Sequence, residues 1–208
     1  MLLNAARAQL AEFGIVVALG PRNTLNALQR LKEDEAMAGL PELLRSTLQV
    51  FAAQLESLGQ GIRALERKLI AWHRADETSQ RLETIPGVGV LTATALAASI
   101  ENPAAFRSGR DLAAFLGLVP RQNSTGGKPR LGSISRKGNG YLRHLLVVGA
   151  TSVVRRAARN DTASGPWLRA LLARKPARLV TVAVANKTAR IVWALMARGG
   201  TYQAHFRV

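Results

Sequence analysis

Nine apolar residues, Leu44, Leu48, Phe51, Leu55, Leu58, Ile62, Leu65, Leu69 and Trp72, follow one another in alternating steps of four and three without a break. That spacing is the seam of a heptad repeat, and it commits this stretch to one α-helix of about 33 residues, on the order of 50 Å long at 1.5 Å per residue. Pro41 suits the first turn of such a helix. Gly59-Gln60-Gly61 weakens the helix without shifting the register. The seam can be covered within the chain, by the apolar face of a helix over 2–17 (Leu3, Leu10, Phe13, Val17), or by another copy. Because it is longer than the first helix can cover, self-association through a coiled coil is the preferred reading.

The remaining segments read as helices too. Gly20-Pro21 closes the helix over 2–17. A short helical stretch surrounds Leu25–Leu31, and Lys32-Glu33-Asp34-Glu35 reads as a solvated turn or helix end rather than a metal site. Leu82-Glu83-Thr84-Ile85-Pro86-Gly87-Val88-Gly89-Val90 leads into an Ala-rich helix from Leu91 to Ile100. This is a helix, a tight Gly-x-Gly turn and a second helix. In a helix-hairpin-helix unit, Gly87 and Gly89 let backbone amides at the second helix's start face a phosphate, and Ala93, Ala95, Ala97 and Ala98 permit close packing. An ordinary αα turn is the competing reading. Further helices are expected at about 108–117, Tyr141–Arg159, Trp167–Arg174 and Val180–Arg198, the last with Val184, Ile191, Trp193 and Leu195 buried. No segment alternates clearly enough to be a strand. The expected architecture is mainly α: a coiled-coil region over 1–76 followed by a helix-hairpin-helix-containing domain over 77–208.

Charge separates the two halves. Residues 1–102 carry ten Lys and Arg against eleven Asp and Glu, whereas residues 103–208 carry nineteen against only Asp111 and Asp161, a net of +17. Two acids in that half are too few for an ordinary mixed surface, so a nucleic-acid footprint is preferred over a merely solvated basic face. There is no cysteine, and the three histidines (His73, His144, His205) have no zinc-ligand spacing. No run approaches the roughly 18 apolar residues of a membrane span, and the N-terminus does not read as a signal peptide, so a cytoplasmic location and no membrane partner are expected.

The basic half is densest at Pro120-Arg121-Gln122-Asn123-Ser124-Thr125-Gly126-Gly127-Lys128-Pro129-Arg130-Leu131-Gly132 and Ser135-Arg136-Lys137-Gly138-Asn139-Gly140-Tyr141-Leu142-Arg143. Six cations, Arg121, Lys128, Arg130, Arg136, Lys137 and Arg143, lie among glycines and hydroxyls with no carboxylate between them. Gly126 and Gly127 can take positive φ and turn consecutive amides into an anion-binding nest. Ser124 has two readings: a turn or phosphate-contact residue, or a nucleophile toward a phosphodiester, should cations stabilise the developing charge and a base take its proton.

Ile85-Pro86-Gly87-Val88-Gly89, Leu112-Ala113-Ala114-Phe115-Leu116-Gly117-Leu118-Val119-Pro120-Arg121-Gln122-Asn123-Ser124-Thr125-Gly126-Gly127-Lys128 and Lys137-Gly138-Asn139-Gly140-Tyr141-Leu142-Arg143 together resemble the C-terminal domain of the 110-type insertion-sequence transposases, 1111-like subgroup. The resemblance spans about 80–155, and more loosely 173–178, Ala185-Asn186-Lys187 and the upstream coiled coil. It implies a DNA-transposition protein in which a serine of this domain, here Ser124, acts with an acidic Asp/Glu/Asp/Asp tetrad on a preceding RNase H-like (RuvC-like) domain of a neighbouring protomer. It also implies DNA and a structured guide RNA as partners, and a divalent metal such as Mg²⁺ held by the tetrad rather than by this chain. Thr125 stands where many relatives have a second serine, which leaves Ser124 the clearer choice. Because no Asp-bearing strand precedes the coiled coil, the resemblance implies a chain without that catalytic domain, inactive alone. The alternative is a non-catalytic DNA- or RNA-binding helix-hairpin-helix module.

Overall fold

In the computed structural model, residues 2–30, 39–128, 130–159 and 165–203 are described. The Lys32–Glu35 cluster, Pro129, the segment 160–164 and His205 lie outside them. Among the described residues the chain is mainly α: nine α-helices, one 3₁₀ turn and one two-stranded hairpin. It divides into two compact units, Met1–Lys68 and Leu69–Val208.

In the first unit, α1 (Leu2–Glu12), α2 (Pro21–Arg30) and the first part of the long α3 (Glu42–Ala75) enclose a small core of Ala6, Leu10, Leu28, Leu40 and Leu48. The first helix is shorter than its apolar pattern. Gly14 at φ +78° reverses the chain, and the amides of Gly14 and Ile15 bond back to Ala11 and Leu10, closing the helix before Val17. Pro21 opens α2 instead of closing α1. The 34-residue α3 runs through Gly59 and Gly61 as expected. Its seam is covered unevenly: Leu48 is buried and Leu44, Phe51 and Leu55 pack against the core, but Leu58, Ile62 and Leu65 are 55%, 56% and 68% exposed.

The second unit is built around α9 (Ala177–Arg198), whose Val180, Ala185, Ala189 and Val192 are fully buried. By length and composition this helix could cross a membrane; here it is the central core helix, packed by α4 (Glu77–Glu83), α6 (Gly109–Phe115), α7 (Gly140–Arg159) and α8 (Pro166–Leu172). Ile191, Trp193 and Leu195, expected to be buried, are only half-buried. The Trp193 indole N–H donates to the Pro103 and Phe106 carbonyls at 3.1 and 3.2 Å, fastening the 3₁₀ turn Pro103–Ala105 to α9.

The end of α3 is locked to α4 by side chains. His73, 6% exposed, bonds Ser79 Oγ through Nδ1 (2.7 Å) and Glu83 Oε2 through Nε2 (2.8 Å), while Asp76 caps α4 by accepting the Ser79 amide at 2.6 Å. The Ser–His–Glu array looks catalytic, but Ser79 is wholly inaccessible. It serves to join two helices.

The segment 84–89 joins α4 to α5 (Val90–Ser99). Its buried anchors are Ile85 and Val88. Gly87, at φ +85°, lies where a Cβ would come within 2.8 Å of the Gly149 carbonyl oxygen, and one on Gly149 would come within 1.9 Å of the Gly87 oxygen. These two glycines let the turn rest on α7 backbone to backbone.

Candidate nucleic-acid interface

The basic stretch is a β-hairpin where no strand was expected. β1 (Pro120–Gln122) and β2 (Leu131–Ile134) pair antiparallel, with Pro120 opposite Ile134, Gln122 opposite Leu131 and a register shift between. The strands are three and four residues long and nearly all exposed, so they carry no apolar alternation for sequence reading to detect.

Backbone geometry anchors the base of the hairpin. Gly117 follows α6 at φ +69°; its amide and that of Leu118 bond back to Ala114 and Ala113, a helix-ending pair that requires a left-handed residue. The returning strand then crosses this turn closely. A Cβ on Gly117 would lie 2.3 Å from the Lys137 oxygen, and one on Gly138 would lie 1.7 Å from the Phe115 oxygen. Arg143, on the first turns of α7, donates from Nη1 to the Leu116 and Lys137 carbonyls, both at 3.0 Å, cross-linking the two crossing segments. Arg121 Nη2 reaches the Ser135 carbonyl at 3.3 Å across the base. Thus two of the six sequence-selected cations brace the hairpin.

The tip is open. Gly126 and Gly127 occupy the two central positions of the turn Thr125–Lys128, at φ +57° and +74°, with nothing within 4 Å of a Cβ on either. Two successive positive φ values make the I′ class of hairpin turn, not the alternating right- and left-handed pair that forms an anion nest, and the Lys128 amide is already bonded to the Thr125 carbonyl. The nest reading is therefore corrected to a hairpin turn whose residues present side chains to solvent. Lys128 and Arg130 are exposed there. Half-buried Ser124 accepts the Arg130 amide at 3.0 Å through Oγ. Among the described residues no carboxylate or imidazole is bonded to that hydroxyl.

Gly89, at the N-terminus of α5, has open space around it, whereas Gly87 faces α7. These two glycines therefore do different things. Arg136 and Lys137 are exposed beyond β2, Arg136 at φ +57° with its amide on the Gly117 carbonyl.

Sequence reading passed over one further region. A groove of about 750 Å³ runs between the hairpin base and α9, with Trp167 at its edge. On α9 it is lined by two adjacent i, i+4 rows: Arg178, Val182, Asn186, Arg190 and Leu179, Ala183, Lys187, Ile191. The interruption of an otherwise apolar helix by cations at those offsets is the signal that would have found it. Lys187 Nζ sits 4.4 Å from the Trp167 ring centre, and Asn186 Nδ2 donates to the Leu118 carbonyl at 3.2 Å.

No three of His, Asp and Glu converge among the described residues.

Fold and site define a helical domain that projects a braced, cation-bearing hairpin. Residues 79–170 match the transposase IS116/IS110/IS902 family and carry that family's domain. Similar proteins include a probable family 20 transposase of Pseudomonas aeruginosa (44% identical over 97% of this chain and 60% of the relative). Others are the putative transposase y4pF/y4sB of Sinorhizobium fredii (46%, over 97% of this chain and 52% of the relative) and the transposase for insertion sequence element IS1111A of Coxiella burnetii (38%, over 97% and 55%). The chain spans between about half and three-fifths of the length of these relatives.

Proposed function

We propose that this chain is a DNA-transposition protein that binds the element's DNA, and a structured guide RNA, through its basic C-terminal half. The family match over 79–170 carries this reading. Its support is the distribution of charge: the hairpin cations Lys128, Arg130, Arg136 and Lys137 are exposed, and among the described residues no carboxylate pairs with them. Gly89 at the open start of α5 is a further backbone contact for phosphate in this reading. The exposed Leu58, Ile62 and Leu65 stripe supports homo-oligomerisation through a coiled coil, since a second copy would cover what the first unit's own core leaves bare. A cytoplasmic location belongs to the same reading.

Within it, Ser124 is the nucleophile. Its Oγ attacks a phosphodiester phosphorus, an Oγ–P bond forms, a P–O bond to the sugar breaks, and the serine proton passes to a base while the leaving oxygen gains one. Lys128 and Arg130 lie beside the serine in the hairpin to stabilise the developing charge. The base comes from outside the described residues, from the acidic domain that the family resemblance implies. The test is recombination reconstituted with that domain in trans. Ser124→Ala is expected to abolish it, by about a thousandfold or more, while Thr125→Ala retains it. Unchanged recombination with Ser124→Ala would remove the nucleophile from the account.

One observation favours a second reading, a non-catalytic DNA- or RNA-binding module: Ser124 Oγ is engaged by the Arg130 amide, as a turn residue's would be. Trapping a covalent phosphoserine adduct on a nicked substrate decides between them, because only the first reading allows it.

A further inference from the structure

We infer that the groove between the hairpin base and α9 binds an unpaired nucleotide, with its base on the Trp167 side against the apolar lining and its flanking phosphates on the cations. The inference rests on the nucleic-acid reading above and specifies a site away from the hairpin tip. The lining includes apolar Leu179, Val182, Ala183 and Ile191. It also includes four cations, Arg136 on the hairpin side and Arg178, Lys187 and Arg190 on α9. Among the described residues no carboxylate lines the groove. That combination fits a strand whose bases are turned outward. A duplex offers phosphates to the cations, but keeps its base faces stacked inside and leaves the apolar lining with nothing to cover it.

Trp167 gives the site its specificity. Its ring is 44% exposed although α8 buries the adjacent Leu168, and Lys187 stands over it at 4.4 Å. An indole held in this way presents an aromatic surface at the groove edge, next to an ammonium group placed for the phosphate beside the base. Asn186, tied to the Leu118 carbonyl, fixes α9 against the hairpin base so that the two walls keep their spacing. The left-handed backbone of Arg136, whose amide donates a hydrogen bond to the Gly117 carbonyl, sets the position from which the cation opposite α9 extends.

The test uses the 208-residue chain with single-stranded RNA, single-stranded DNA and duplex DNA probes of about 12 nucleotides, read by fluorescence anisotropy at two salt concentrations. Trp167→Ala is expected to weaken both single-stranded probes by about tenfold and the duplex by less than about twofold, with Trp167→Phe recovering most of the loss. Arg178→Gln with Arg190→Gln is expected to flatten the single-strand salt dependence by about one to two charges. A measurement on the wild type guards against a variant that does not fold: an oligonucleotide carrying 5-iodouracil, irradiated on the protein, should crosslink within Trp167 or the groove face of α9 by peptide mapping. Equal losses on single strands and duplex, or crosslinks confined to the hairpin tip, overturn the inference while leaving nucleic-acid binding intact. A preference for RNA over DNA, or the reverse, identifies the strand's source. Failure of the wild type to bind any probe overturns this inference and the broader reading together.

Discussion

The base and the tip of the hairpin are written in the same residues, glycine and cation, and use them for opposite ends. At the base, Gly117 and Gly138 sit where a Cβ would collide with backbone at 2.3 and 1.7 Å, and Arg143 spends its Nη1 on two carbonyls. At the tip, Gly126 and Gly127 have empty space around them, and Lys128 and Arg130 extend into solvent. The base holds in place the crossing of the segment after β2 over the end of α6. The tip is free to touch something else. A glycine-rich basic motif is therefore not one site: its function depends on whether each glycine excludes a side chain or only permits a turn.

Substitutions can break this division, and the largest effect belongs to the base. Gly138→Ala places a methyl group against the Phe115 carbonyl at a positive φ, and is expected to cost roughly 3 kcal/mol or more, seen as loss of cooperative unfolding in thermal melts followed by circular dichroism. Arg143→Met removes the cross-link between the Leu116 and Lys137 carbonyls while keeping much of the side-chain volume. It should cost about 2 kcal/mol by denaturant titration, because two charge-assisted hydrogen bonds are lost. At the tip, Gly126→Ala meets no neighbour and costs only the left-handed backbone, about 1 kcal/mol. If Gly126→Ala proved as damaging as Gly138→Ala, the distinction between clamped and open glycines would fail.

The sequence announced some of this and concealed the rest for physical reasons. A heptad seam is a long-range periodic signal, so the span of α3 was legible from nine residues. What covers the seam was not, because an apolar face looks the same whether α1 and α2 or another copy lies on it. The first helix ended early at Gly14, where a left-handed turn outweighed an apolar pattern that continued to Val17. The hairpin escaped notice because exposed strands of three and four residues need no alternation. Gly87 carried a turn signature correctly, but the packing partner that demands a glycine there, Gly149, lies 62 positions further along the chain and only the fold brings it near. The groove on α9 was hidden by the helix's apolar composition; its cations count only once both i, i+4 rows are seen to face the hairpin base.

The tip's role in binding is tested most directly by the salt dependence of duplex-DNA affinity for the wild type and for Lys128→Gln with Arg130→Gln. The wild type should lose affinity steeply between low and moderate salt. The double variant should show a slope shallower by about 1 to 2, with its unfolding free energy within about 0.5 kcal/mol of the wild type's. A wild-type affinity indifferent to salt, or a double variant that binds with the same slope, would contradict the assignment of the open hairpin to nucleic acid.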